Sequence, residues 1–251
     1  MLLVIDVGNT NIVLDAMEGY ILRRQVRLET DCGLGAESYY AKISRAMEGL
    51  TFDGAILASV VPEVNGALCA AAKILTGREC LVLDHTTKTG MPLEVDEPAT
   101  IGADIIAGCA GAKERYPLPL AVADLGTANT VMVVDGDGAF RGGIIAAGLK
   151  MQLRALGAGT SLLPDLEIAA PEKCIGTNTA DCLESGAVYG AAAMLDGIIS
   201  RMEQELGAPL TVVATGGLSG LVCKHCRHEV HLEPELIPMG LVDIYRKNVK
   251  A

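Results

Sequence analysis

The pattern of Leu2-Leu3-Val4-Ile5-Asp6-Val7-Gly8-Asn9-Thr10-Asn11 returns as Leu120-Ala121-Val122-Ala123-Asp124-Leu125-Gly126-Thr127-Ala128-Asn129-Thr130, with Asp124 118 positions after Asp6. In each copy an apolar, partly β-branched run ends at a carboxylate and then turns through Gly and polar residues, as a buried strand entering a tight turn would. A second apolar stretch follows each turn, Ile12-Val13-Leu14 and Val131-Met132-Val133-Val134, and then a Gly-bearing acidic turn. Each copy predicts a strand-turn-strand hairpin, and the repetition predicts a duplicated fold.

The turn chemistry points to phosphate. Gly8 and Gly126 allow the backbone to turn sharply and approach a ligand closely, and Asn9, Thr10 and Asn11 or Thr127 favour turns and offer donors. Successive backbone N–H groups in such a turn form an anion-binding concavity. Asp6 has the chemistry to hold the Mg²⁺ that accompanies a nucleotide phosphate, since that ion takes one or two carboxylates plus phosphate oxygens. A single copy is equally well a plain hairpin turn. Two copies favour a nucleotide clamped between two halves, an arrangement that resembles the superfamily of sugar kinases, actin and the Hsp70 ATPase domain.

The chain has 251 residues, enough for one large or two small cores. Half of them are hydrophobic but only 3% are aromatic, so Ala, Val, Ile and Leu must build the interior. Mean hydropathy is +0.36, yet Gly, Pro or a charge interrupts every apolar run, even the uncharged stretch from Gly207 to Cys223. The expectation is a cytoplasmic protein without a membrane span. An early Asp6 and no preceding basic region argue against a secretory signal, and eight scattered cysteines read as reduced thiols. A net charge of −11 argues against nucleic acid as a partner.

Along the chain, strands are expected at Ile21 to Leu28, Phe52 to Val61 and Cys80 to Leu83, and helices at Glu37 to Leu50 and Val64 to Leu75. A helix opened by Thr100 runs through Ile101 to Ala112, and its small residues suit close packing against another helix or a symmetry mate. A boundary near Tyr116-Pro117-Leu118-Pro119 divides the chain into 1–116 and 117–251. The second half continues with a strand at Arg141 to Gly148, a helix near Lys150 to Gly157, a long helix from Thr179 to Leu206, and strands at Leu210 to Ala214 and Glu229 to Leu232. The order is α/β throughout.

Taken in sequence, Asp6 to Asn11, Ser59-Val60-Val61-Pro62, Gly102-Ala103-Asp104, Asp124 to Thr127, Gly142 to Ile145, Gly148-Leu149-Lys150, Leu163-Pro164, Asn178-Thr179 and Thr215-Gly216-Gly217 resemble the signatures of type III pantothenate kinases. That resemblance implies duplicated ribonuclease H-like, actin-like ATPase domains with central mixed sheets flanked by helices. It also implies a homodimer and ATP-dependent phosphorylation of the 4′-hydroxyl of pantothenate, with Mg²⁺ and a monovalent cation, K⁺ or NH₄⁺. By resemblance, Asp104 is the general base, and Gly102, Ala103, Asp104 and Thr179 contact the acceptor. Asp6, Gly8, Asn9, Thr10, Asn11, Gly126 and Thr127 contact the phosphates, and Gly216 and Gly217 leave room for the adenosine. Asp6 lies at Mg²⁺ and Asp124 at the monovalent cation. Read from residue type alone, Asp104 is equally a first-turn acid favoured by the helix dipole, Gly216-Gly217 an ordinary turn, and Asn178 or Thr179 a helix cap.

The family pattern is broken on the acceptor side. Ile105 stands where the family carries Arg after Gly-Ala-Asp, and Val95 where it carries Tyr. An isoleucine cannot replace Arg's planar fork of donors. Two readings follow: a pantothenate kinase with a reshaped pocket, or a homologue that binds nucleotide and acts on another hydroxy compound or without catalysis. Smaller departures are Asn129 in the second turn, Ala147 before Gly148 and Thr177. Finally, Cys223, His225, Cys226, His228 and His231 cluster within nine residues. Their spacing is tighter than that of zinc modules, so an exposed turn leading into a strand is expected there ahead of a metal site.

Overall fold

The computed structural model describes residues 1–159, 168–169 and 171–249; Leu163-Pro164 falls outside them. Contacts divide the chain into two compact units, Met1–Glu114 joined by Glu235–Ala251, and Arg115–Pro234.

The first unit holds β1 (Leu2–Val7), β2 (Asn11–Glu18), β3 (Ile21–Glu29), α1 (Ala36–Ala46), β4 (Gly54–Ser59), α2 (Pro62–Thr76), β5 (Leu81–Val82) and α3 (Ala103–Lys113). The sheet order is β3-β2-β1-β4-β5. β1 pairs antiparallel with β2 and parallel with β4, so the sheet is mixed. Alternation sets its faces: Leu3, Ile5, Val7, Ile12, Leu14 and Ala16 pack with Tyr39 and Ile43 of α1 and Leu68 of α2. Pro62 opens α2, where its missing N–H costs nothing, and Gly77 closes it in the left-handed conformation at φ +69°.

On the opposite face β2 carries Asp15, only 2% exposed. Gln25 Nε2 donates to its Oδ1 at 2.8 Å. Burial nevertheless pushes its carboxyl up from 3.8 to about 6, opposed by that hydrogen bond and by Arg27.

The second unit repeats the plan with β6 (Leu120–Leu125), β7 (Ala128–Val134), β8 (Phe140–Ala147), α4 (Leu149–Gly159), α5 (Thr179–Leu206), β9 (Thr211–Thr215), α6 (Ser219–Val222) and β10 (Val230–Leu232). Its order, β10-β9-β6-β7-β8, is that of the first sheet read from the other end. Ala121, Ala123, Leu125, Val131 and Val133 face Leu149 and Leu153 of α4 and a stripe of α5 at Val188, Ala191, Leu195 and Ile199. α5 is the one helix among the described residues long and apolar enough to cross a membrane by length and composition; its apolar stripe is spent on this core.

The last helix, α7 (Leu236–Asn248), has no counterpart in the sequence reading. Pro238 obscures it, but in the first turn proline removes no needed hydrogen bond. α7 buries Leu236 and the run from Pro238 to Ile244. Its partner is α3, itself buried from Ile106 to Ala112. The helices meet backbone to backbone: a Cβ added at Gly111 would lie 2.9 Å from the Gly240 Cα. The small residues of α3 therefore serve a helix of the same unit. This corrects the expected 117–251 unit, because α7 finds its apolar partner in α3 and groups with the first unit.

Candidate active site

In the first unit the candidate residues gather at the carboxyl ends of the parallel pair β1 and β4, the place where open α/β sheets bind ligands. Asp6 is the penultimate residue of β1 and faces Val13 and Ala58 in register. The turn after it is closed locally. Gly8 N donates to Asn11 O at 2.9 Å, Thr30 Oγ1 donates to Gly8 O at 2.7 Å, and Thr30 N donates to Thr10 O at 3.0 Å. Asn9, Thr10 and Asn11 are exposed, whereas Asp6 and Gly8 are half-buried.

Asp104 reaches the same end through Val60. Val60 N donates to Val7 O at 3.0 Å, and a Cβ at Gly102 would touch Val60 Cγ1 at 3.7 Å and overlap Asp104 Oδ1. Gly102 is the N-cap of α3 and offers no side-chain cap. Asp104 instead accepts from the Ile105 N–H through Oδ1 at 2.8 Å, which orients the half-buried carboxylate. Ala103 begins the helix and is buried.

The second unit builds its cluster from bare backbone. Asp124 is penultimate in β6 and pairs with Thr215 across the parallel ladder. Gly216, the next residue, has φ +90°, and a Cβ there would overlap Asp124 Oδ1 and lie 2.7 Å from the Leu125 backbone. Glycine is required on both counts. Gly126 N donates to Ala128 O at 3.0 Å, and a Cβ at Gly126 would stand 3.2 Å from Asp124 Oδ1. Gly217 is different, with nothing within 4 Å of its would-be Cβ. Thr127 lies in the turn between Gly126 and β7. Thr179, exposed, is the first residue of α5, and Asn178 is the cap, its Oδ1 accepting from Asp181 N at 3.0 Å.

Two residues of this cluster carried no role in the sequence reading. A Cβ at Gly148 would overlap the Gly126 and Thr127 carbonyls, so the β8–α4 link lies directly on the second turn. Asn129 lies within β7 and is wholly buried. The Gly148-Leu149-Lys150 motif was a usable signal for the first; only strand register reveals the second.

The Cys/His cluster disperses. The Cys226 thiol points to backbone carbonyls, 3.9 Å from Val222 O and 4.0 Å from Ala192 O, and Cys223 is buried in the second core, so this turn is exposed only in part. The His225 ring packs on Tyr189 at 4.5 Å and the His231 ring on Tyr116 at 5.4 Å. His228 Nδ1 lies 2.9 Å from Asp196 Oδ1. Among the described residues no group of three or more His, Cys, Asp or Glu side chains is placed to hold a metal ion.

Residues 2–201 match the family model described as type III pantothenate kinase. A type III pantothenate kinase of Acholeplasma laidlawii is 36% identical over 250 residues, covering 100% of both chains. The chain belongs to the type III pantothenate kinase family. A putative Baf family transcriptional activator from Campylobacter jejuni has the same fold, with a TM-score of 0.63 at 17% identity and 98% of each chain covered. A ROK family glucokinase from Streptomyces griseus, solved with glucose and AMPPNP, gives 0.50 at 14% over 97% of each. The fold of this pantothenate kinase family member is thus the duplicated, actin-like ATPase fold, with two mixed sheets flanked by helices.

Proposed function

We propose that the chain transfers the γ-phosphoryl group of ATP to the primary 4′-hydroxyl of pantothenate, the first step toward coenzyme A. The observation that carries this reading is the full-length family match to pantothenate kinases. The pair of carboxylate-and-glycine turns at the ends of β1 and β6 supports it. Phosphoryl transfer asks the protein chiefly to position reactants and neutralise charge.

Asp104 takes the proton of the attacking hydroxyl as general base. Its Oδ1 accepts from the Ile105 N–H, and in this reading Oδ2 takes the proton. Gly102, Ala103 and Thr179 line the acceptor, and Asp6, Gly8, Asn9, Thr10, Asn11, Gly126 and Thr127 bind the phosphates. Gly216 and Gly217 border the adenosine. Asp6 and Asp124 are carboxylates at strand ends, and the backbone around Asp124 is so bare that a Cβ at Gly216 would meet its oxygen. Hard oxygen donors of this kind fit Mg²⁺ at Asp6 and K⁺ or NH₄⁺ at Asp124. When bound, those ions neutralise phosphate charge. The working form is a cytoplasmic homodimer.

A coupled assay with ATP, pantothenate, Mg²⁺ and K⁺ tests the reading: turnover is expected, and its absence defeats it. A second reading rests on Ile105, which stands half-buried beside Asp104 and has no side-chain donor for an anionic acceptor. Here the acceptor is another hydroxy compound. Ile105→Arg separates the two: an unchanged KM for pantothenate favours the reshaped-pocket kinase, whereas turnover that appears only with Arg favours the other acceptor.

A further inference from the structure

Asn129 has no exposed surface, and neither its Oδ1 nor its Nδ2 has a hydrogen-bond partner among the described residues. A carboxamide carries two donor hydrogens and an acceptor oxygen, and leaving them buried and unpaired incurs their full desolvation penalty. Nearly all buried polar groups in folded proteins are paired, so this one calls for a reason.

Its position supplies one. Asn129 faces Leu125 on β6 and Ala146 on β8 in register, and by strand alternation shares the core face of Val131 and Val133. The Gly126–Thr127 turn immediately precedes its strand. Two residues beyond Ala146 lies Gly148, against the carbonyls of that turn. In the first unit the matching place, opposite Val7, belongs to Ile12, fully buried in its core. Packing alone is satisfied there by an apolar side chain.

We propose that Asn129 is a positioning residue for the nucleotide, whose carboxamide gains its partners only when the Gly126–Thr127 turn is occupied. This rests on the reading of that turn as a triphosphate site. The partners are peptide groups of the turn and water carried in with the triphosphate. A ligand that relieves the unpaired amide in one state alone gains affinity from the difference between the states. The acceptor substrate has no part in this, so the effect is confined to nucleotide.

The experiment compares the full chain with Asn129→Leu and Asn129→Thr. It measures the ligand-free Tm, the Kd of a non-hydrolysable ATP analogue with Mg²⁺ by calorimetry, and KM for each substrate. Asn129→Leu is expected to raise the ligand-free Tm by about 2–4 °C. The same variant should weaken the analogue about three- to tenfold and raise KM for ATP in proportion, with KM for the acceptor unchanged. Asn129→Thr, which keeps a hydroxyl, should fall between. A higher Tm with unchanged nucleotide affinity makes the amide a burden only and overturns the proposal. A lower Tm for both variants means the amide is already satisfied in the free chain, which also overturns it. Wild-type protein that fails to bind the analogue overturns the ATP reading and this proposal together, whereas failure of the proposal alone leaves wild-type binding intact.

Discussion

The two units share one strand order, yet they treat the same topological positions in opposite ways. Between β1 and β2 three residues turn the chain, Gly8 to Thr10; between β6 and β7 only Gly126 and Thr127 do. One residue less shifts the partner strand by one, and a one-residue shift exchanges the faces of a strand. By sequence offset Asn129 matches Asn11, which is exposed. By register it matches Ile12, since Val7 faces Ile12 and Leu125 faces Asn129. On the opposite face the roles reverse: Val4 faces buried Asp15, while Val122 faces buried Met132. After the parallel strand, the first unit continues through Val60-Val61 and the second through Gly216-Gly217. The first unit thus brings a side-chain carboxylate, Asp104, to its strand ends, and the second brings bare backbone. Duplication conserves the topology, while single-residue changes in turn length and side-chain bulk make the two ends chemically different.

The largest expected effect tests the side-chain half of that contrast. Asp104→Asn should lower kcat about 10²- to 10⁴-fold with nucleotide affinity unchanged; a coupled assay beside calorimetry reads both, and activity near wild type would remove Asp104 from the base role. Next comes Asp15, the charge that the second unit replaces with Met132. Its pKa in the folded chain is raised to about 6 from 3.8, so the folded state holds the proton more tightly. Stability therefore falls as pH rises from about 4 to 6, and the penalty is complete above that range. Asp15→Asn should raise stability at pH 7 by up to roughly 3 kcal/mol and change little at about pH 3, below the unfolded-state value; urea titrations at both values decide, and an equal gain at both would show that ionisation is not the cause.

The bare half is tested by Gly216→Ala, expected to cost about 1–3 kcal/mol from the backbone conformation alone, with overlap on Asp124 adding to it, against little for Gly217→Ala. Equal costs at the two glycines would contradict the close approach at Gly216. The smallest effect concerns caps. α1, α2 and α3 start without a side-chain cap, whereas α5 starts on Asn178. Asn178→Ala should cost about 1 kcal/mol, read from the shift in urea midpoint at constant slope.

Much of the fold was legible because it follows local periodicity. The runs around Leu3 and Ala121, the Gly-bearing turns and the long α5 register in the chain as pattern, and the internal repeat made two similar sheets the natural outcome. The nine ordered motifs made the family legible as well. α7 was hidden, because Pro238 and Gly240 interrupt its first turns as a loop would, and only α3 explains why such a segment is a buried helix.

By itself, then, the sequence determined the elements, their duplication and the placing of Asp6 and Asp124 at strand ends, since alternation and turn chemistry act over a few residues. Tertiary structure alone decided that α7 joins the first unit, that Asp104 reaches the carboxyl ends of β1 and β4 by way of Val60, that Gly216 must be bare against Asp124, and that Asn129 is buried while Asn11 is not. Each of these depends on the register or approach of segments distant in the chain, and a one-residue difference in a turn changes it without altering any local pattern.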